Sequence, residues 1–183
     1  MRLNSINEVD VNKAINRVSP LLDIMPKHKR KHSKRVAKTL RKAGVGKIGV
    51  YSGLLHDYLE RGGSLFELTQ HINELGLPQQ IVNVVMSLSD DEDNAEILPN
   101  QPLAHLQQTL GRIEDQDIKN IIILAKLSDR LDNLKKRARK GKIGKNYLSK
   151  SSDLIQWLSD QYTGKKKPFK KLTHMFEKLG LIR

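Results

Sequence analysis

The chain has 183 residues, 38% of them hydrophobic, with no stretch that reads as a linker, which fits one domain with its own core and excludes two large ones. The longest purely aliphatic run, Ile121 to Ala125, is far short of the roughly 20 residues a membrane span needs, and no apolar secretory stretch opens the sequence, so a soluble, cytoplasmic protein is expected. The absence of cysteine excludes thiolate catalysis, zinc-thiolate sites, iron–sulfur clusters and disulfides, while 33 Lys+Arg against 20 Asp+Glu, a formal +13, favour an anionic partner: nucleotide, polyphosphate, nucleic acid or membrane surface.

Apolar residues recur at helical spacing along the whole chain and no alternating segment is long enough for a strand, which predicts an all-α fold. Val11, Ile15 and Val18 open a first helix that Pro20 ends or bends. A second runs from about Pro26 to Ala43 with Gly44 as its stop and Val36, Leu40 and Ala43 facing inward. The third spans about Lys47 to Arg61, up to Gly62-Gly63. Ser64, with Glu67 three residues on, caps a fourth whose stripe is Leu65, Leu68, Ile72 and Leu75. Beyond Gly76 and Pro78, Ile81, Val84, Val85 and Leu88 mark a fifth. From Ser89 to Gln101 the composition turns acidic and polar and reads as an ordered loop or a mobile lid. A short helix near Leu103 to Leu110 precedes the most hydrophobic one, Asp117 to about Lys140, apolar on two faces at first and therefore central. A basic stretch with two glycines, Lys135 to Lys145, leads into a helix over about Lys145 to Gln161. A basic amphipathic C-terminal helix follows, carrying Phe169, Leu172, Phe176 and Leu179. The expected organisation is one helical bundle over residues 1–164 with an extra helix in 165–183.

Polar residues on faces that should be buried are where chemistry can sit. Asp129 continues the central stripe of Ile118, Ile122 and Ala125, and an ionised carboxylate there needs a cation or a metal. His32 lies four residues before Val36 and points inward. His56 shares a face with the small residues Gly49, Ser52 and Gly53, Asp57 follows it, and Glu60 returns to that face at i+4. Nitrogen and oxygen ligands of this kind suit Mn²⁺, Fe²⁺ or Zn²⁺, with positions left open for water and substrate oxygen.

The series His32, His56-Asp57 and Asp129 resembles the HD-domain superfamily of metal-dependent phosphohydrolases. Within it, the similarity is to the hydrolase domain of the RelA/SpoT stringent-response enzymes and to the small alarmone hydrolases, which remove the 3′-pyrophosphate of (p)ppGpp using Mn²⁺. His32-Ser33-Lys34-Arg35-Val36-Ala37 resembles the family's "HPxxVA", Ser52-Gly53-Leu54-Leu55-His56-Asp57 its "AALLHD", and Lys126 to Leu134 its "KLADRLxNL" over the whole length. Softer matches are Leu88-Ser89-Asp90-Asp91 and Tyr147. The similarity spans roughly Val11 to Leu158, and the tail from Lys165 has no counterpart. The resemblance implies that His32, His56, Asp57 and Asp129 ligate the metal, Mn²⁺ foremost, with Glu60 positioning or deprotonating the attacking water. It implies too that Asn133 holds substrate or supports the site and that Tyr147 contacts substrate. Two departures stand out: Arg61 replaces the second acid of the family's "HDxxED", and the basic loop before the first histidine is shortened to Met25–Lys31.

Charge building on phosphoryl oxygens calls for cations, and Lys27, Lys31, Arg35, Arg61, Lys126 and Arg130 flank the motifs. His28, His71, His105 and His174 read as surface residues, and Tyr147 from its sequence position alone reads as packing. The expectation is therefore an enzyme acting on a small anionic nucleotide, (p)ppGpp first, with an HD nucleotidase or phosphodiesterase on another nucleotide as the alternative. The basic runs leave open a nucleic-acid-binding module with a relic HD site, against which stand the few aromatic residues, 4%. A third reading is an interaction protein whose metal site only stabilises the fold. On the enzyme reading the +13 charge serves polyphosphate capture, binding depends shallowly on salt, and the tail from Lys165 is dispensable.

Overall fold

Local signals place the helix ends. The Asp10 carboxylate accepts the amides of Asn12 and Lys13 and starts α1 (Val11–Arg17); Pro20, in the first turn of α2 (Ser19–Asp23), makes the break between them. Next come α3 (Lys27–Ala43) and α4 (Lys47–Leu55), then α5 (Leu65–Glu74), α6 (Gln80–Asp93) and α7 (Pro102–Arg112), followed by α8 (Gln116–Arg139), α9 (Lys145–Gln161) and α10 (Lys166–Glu177). Gly44, at φ +91°, closes α3 in the left-handed conformation that side chains resist. Ser64 caps α5 as expected, its hydroxyl accepting the Glu67 amide; the Glu67 carboxylate turns to the Tyr58 hydroxyl instead.

This computed structural model describes residues 9–93 and 102–178, and among them it is all-α with no strand. No helix among the described residues is long and apolar enough to cross a membrane.

Two apolar clusters form the core. One surrounds α8 and takes Val36 and Leu40 of α3, Leu88 of α6, Leu110 of α7 and Ile155 and Leu158 of α9. The other surrounds α4 and is built from α1, α2, α5 and the adjoining face of α6, with Tyr51, Leu54 and Tyr58 among its buried residues. Because α3 and α6 each contribute to both, the line where α3, α4 and α8 meet runs between the clusters, and that line carries the polar residues.

Three expectations are corrected. The third helix does not run to Arg61: α4 ends at Leu55, His56 to Tyr58 make a turn, and a single 3-10 turn covers Leu59–Arg61. In the last turn of α4 the Gly53 carbonyl bonds the His56 ring, a local competition that favours turning the chain out of the helix. The acidic stretch is helical as far as Asp93, since α6 continues past Leu88; residues 94–101 of the expected loop or lid lie outside the described residues. The terminal helix is no appendage, because Leu172 and Phe176 are fully buried and join the α8 cluster. Their spacing of four puts both on one face of α10, which packs on α3 and α8.

Candidate metal centre

His32 on α3, His56 and Asp57 just after α4, and Asp129 on α8 are brought together by the crossing of the three helices. Gly53 permits the approach of α4 to α3: a Cβ there would lie 3.3 Å from the Ala37 Cα and 2.6 Å from Leu40 Cδ1. The two imidazoles stand edge to face with centroids 5.1 Å apart. Ligand atoms of His32, His56 and Asp57 all lie within 4.8 Å of one another, and each of these residues is buried. Asp129 Oδ1 lies 2.8 Å from His32 Nε2 and 4.0 Å from His56 Nε2, so the fourth expected ligand belongs to the same cluster.

The chemistry of these donors fits a divalent ion. His56 Nδ1 is 3.0 Å from the Gly53 carbonyl, which holds a proton on that nitrogen, so that in a neutral ring the Nε2 lone pair is free for an ion. That Nε2 is buried without a hydrogen-bond partner among the described residues, an arrangement that is costly unless something cationic takes the lone pair. Asp57 is 3.4 Å from it through Oδ1. Burial pushes the Asp57 carboxyl up, but His56, Lys29 and His32 more than offset this and hold it below the usual carboxylate range. Asp129 follows the same logic: burial raises it, while the bond to His32 and the nearby His56 and Lys126 lower it further.

His32 is gripped from both sides. Its Nδ1 is 2.7 Å from Asp132 Oδ2 and its Nε2 faces Asp129. Burial would depress its pKa, but the two carboxylates prevail and raise it to about 9, so the imidazole is a cation at neutral pH while no metal is bound. Nε2 is the nitrogen available to a metal, with Asp132 holding the other as carboxylates do behind metal-bound histidines. Asp132 in turn receives a bidentate pair from Arg35, Nε at 2.7 Å and Nη2 at 2.8 Å, and its pKa falls well below the usual range despite burial. The Asn133 amide donates to Asp129 Oδ1 at 2.8 Å, fixing that carboxylate.

The expected substrate residues divide. Lys126 reaches inward, its ammonium 3.3 Å from the Leu88 carbonyl; burial lowers its pKa, and the neighbouring carboxylates of Asp129, Glu60 and Asp57 restore part of the loss. Glu60 is mostly buried at the rim of the cluster, 3.8 Å from the Arg61 guanidinium. Arg35 is committed to Asp132. Asn133 supports Asp129. Tyr147 packs beneath Arg137, whose guanidinium carbon lies 4.0 Å from the ring centre, with Arg130 at 5.3 Å. Lys27 and Lys31 are corrected: both are exposed, and at five residues and one residue before His32 they leave the helix on its outer side. Of the remaining histidines, His28 and His174 are exposed and His71 is half-buried against the Arg17 carbonyl; the His105 side chain lies outside the described residues, as do those of Asp90 and Asp91.

Two residues were missed. Lys29, not its neighbours, points at the cluster, with Nζ 3.1 Å from Asp57 Oδ2. Asp132 is the other. Both could have been found by helical phase, since Lys29 is three residues before His32 and Asp132 three after Asp129.

Comparison of the chain with protein-family models, with curated proteins and with solved structures finds no match.

Proposed function

We propose that this chain is an HD-type, divalent-metal-dependent phosphohydrolase of a small nucleotide, with (p)ppGpp and loss of its 3′-pyrophosphate as the leading reaction and Mn²⁺ as the leading metal. One observation carries the reading: two buried histidines and two carboxylates from α3, the turn after α4, and α8 converge, and His56 Nε2 among them is buried without a hydrogen-bond partner among the described residues. Buried ionisable groups cost on the order of several kcal/mol each unless compensated. Protonated His32 and Lys29 compensate Asp129 and Asp57 in the metal-free protein, and a divalent ion would take over that role while engaging the His56 Nε2 lone pair. Resemblance of the three segments around these residues to the HD motifs supplies the reaction class.

A bound divalent ion would lower the pKa of a coordinated water toward ~7 and polarise a phosphoryl oxygen. The chain's own residues do the rest. Asp132 and Asn133 hold His32 and Asp129 in place, which limits the reorganisation needed as charge moves. Glu60, at the rim beside Lys126, accepts a proton from the attacking water. Lys126 and Lys29 offer cationic support to the phosphoryl oxygens, Lys29 from its place beside Asp57.

The test is a nucleotide panel with Mn²⁺, scored by the phosphorus product. Pyrophosphate released from ppGpp supports the leading reaction, and orthophosphate from mononucleotides would move the assignment to a nucleotidase. Absence of turnover on every nucleotide by metal-loaded protein would refute the enzyme reading.

A further inference from the structure

The cationic excess does not sit where nucleotide capture needs it. Around the cluster stand Lys29, Lys126, Arg61 and the committed Arg35, whereas α3 carries seven further Lys and Arg and no acid. Its lysines Lys27, Lys31, Lys34, Lys38 and Lys42 recur at spacings of four, three, four and four, which is one stripe on a helix. All five are exposed or half-exposed, and among the described residues none is ion-paired with a carboxylate. At 1.5 Å per residue the stripe is about 22 Å long.

Neighbouring elements extend it. From Asn133 to Ser152 the chain has eight Lys and Arg and no acid, and residues 165–171 add five lysines, again without an acid. These segments belong to α8, α9 and α10, and α3, α8 and α10 pack against one another. Lys171 of α10 donates to the Lys42 carbonyl at 3.1 Å, which docks its ammonium at the end of the stripe. Lys135 of α8 faces the same place. Its pKa is lowered first by burial and then by Lys42 and Arg139, with Asp132 alone opposing. The surface thus gathers like charges that repel one another in the free protein, a cost that a polyanion would remove.

We infer that the outer face of α3, with Lys135 and Arg139 of α8 and Lys171 of α10, binds the phosphate backbone of a nucleic-acid duplex. A duplex presents one charge per ≈ 1.7 Å of its axis, so about thirteen phosphates run along a stripe of this length. The absence of aromatic residues from the stripe fits backbone contact to a paired helix better than stacking on unpaired bases. An anionic bilayer is the poorer match, because the exposed large apolar residues among the described residues, Ile24, Leu65, Phe66 and Met86, lie on other elements. The inference does not rest on the phosphohydrolase reading and needs no metal.

The experiment measures binding of the full chain to duplex RNA and duplex DNA of about 20 base pairs at several salt concentrations without Mn²⁺. Phosphatidylserine vesicles form a parallel arm. Contacts from at least Lys38, Lys42, Lys135, Arg139 and Lys171 predict a slope of log K against log salt of about −4.5 or steeper for at least one duplex, a loss of about 500-fold or more between 50 and 200 mM. The exposed triple substitution Lys38→Gln, Lys42→Gln, Arg139→Gln should reduce the slope by about 2.7. No duplex binding at 50 mM salt, a wild-type slope shallower than about −2, an unchanged slope in the folded triple variant, or vesicle binding in preference to both duplexes would each overturn the inference. Should the triple variant fail to fold, the wild-type slope still decides.

Discussion

Metal uptake at this centre should be coupled to the loss of a competing proton from His32, and pH is therefore the perturbation that tests the geometry most directly. In the metal-free protein His32 lies between Asp129 and Asp132, and its pKa, depressed by burial alone, is raised by those carboxylates from 6.5 to about 9. At pH 7.5 nearly every molecule carries the proton, and an ion can take Nε2 only by displacing it. Mn²⁺ affinity should then rise about tenfold from pH 7.5 to 8.5, or ~1.4 kcal/mol, and level off above pH 9. Calorimetry in two buffers of different ionisation enthalpy counts the protons directly, and close to one per ion is expected. The same proton bears on stability with a definite sign. A folded-state pKa above the unfolded one favours the folded metal-free chain below about pH 6.5, and the benefit, roughly 3 kcal/mol, is lost as pH rises through about 9. Asp132→Asn removes one of the carboxylates and should move both transitions to lower pH. Mn²⁺ affinity that is flat between pH 7.5 and 8.5, with no proton released, would refute the reasoning.

Other consequences are open to measurement. His56→Ala and Asp129→Ala should each abolish stoichiometric Mn²⁺ binding in elemental analysis, and full-strength binding by both would remove the site assignment. Glu60→Gln should keep Mn²⁺ and substrate affinity while losing ~10²–10⁴-fold in turnover, because the amide preserves size and removes basicity; unchanged turnover returns Glu60 to a rim residue paired with Arg61. Gly53→Val should destabilise the fold by about 1–3 kcal/mol in chemical denaturation, since its side chain would meet the Ala37 backbone, and a neutral effect would show that α3 and α4 are free to separate. Deletion from Lys165 should lower the denaturation midpoint sharply, as it strips the buried Leu172 and Phe176, each comparable to a large-to-small core change of about 2–5 kcal/mol; a deletion protein with wild-type stability would contradict the packing of α10.

Helical periodicity made most of the fold legible, because a stripe such as Ile118, Ile122 and Ala125 records burial directly and Gly44 or Ser64 records where a helix must end or begin. It failed where one residue's side chain competes with the backbone. The apolar pattern runs through Leu54, Leu55 and Tyr58 without interruption, yet the chain leaves the helix at His56, whose ring takes a carbonyl of the last turn. For α10 the pattern was legible but its weight was not: two buried residues in a lysine-rich tail look peripheral until the helix is seen to close the α8 cluster.

The candidate centre shows what a motif conveys and what it omits. His32, His56, Asp57 and Asp129 stand out because polar residues on apolar faces demand compensation, an argument that needs no contact map. The residues that compensate them are harder to see, since a carboxylate on a basic helix reads as a surface charge. Asp132 illustrates this. In sequence it is one acid among the cations of α8; in the structure its two oxygens bond the first histidine and the Arg35 fork together. Arg35 therefore neutralises the acid that orients His32, which explains a guanidinium beside the cluster without assigning it to substrate. The same separation applies to charge as a whole: the few cations that face the cluster suit one phosphoryl group, while the outer stripe from Lys27 to Lys42 is long enough for many. Net charge sums these two surfaces into one number, and only helical phase tells them apart.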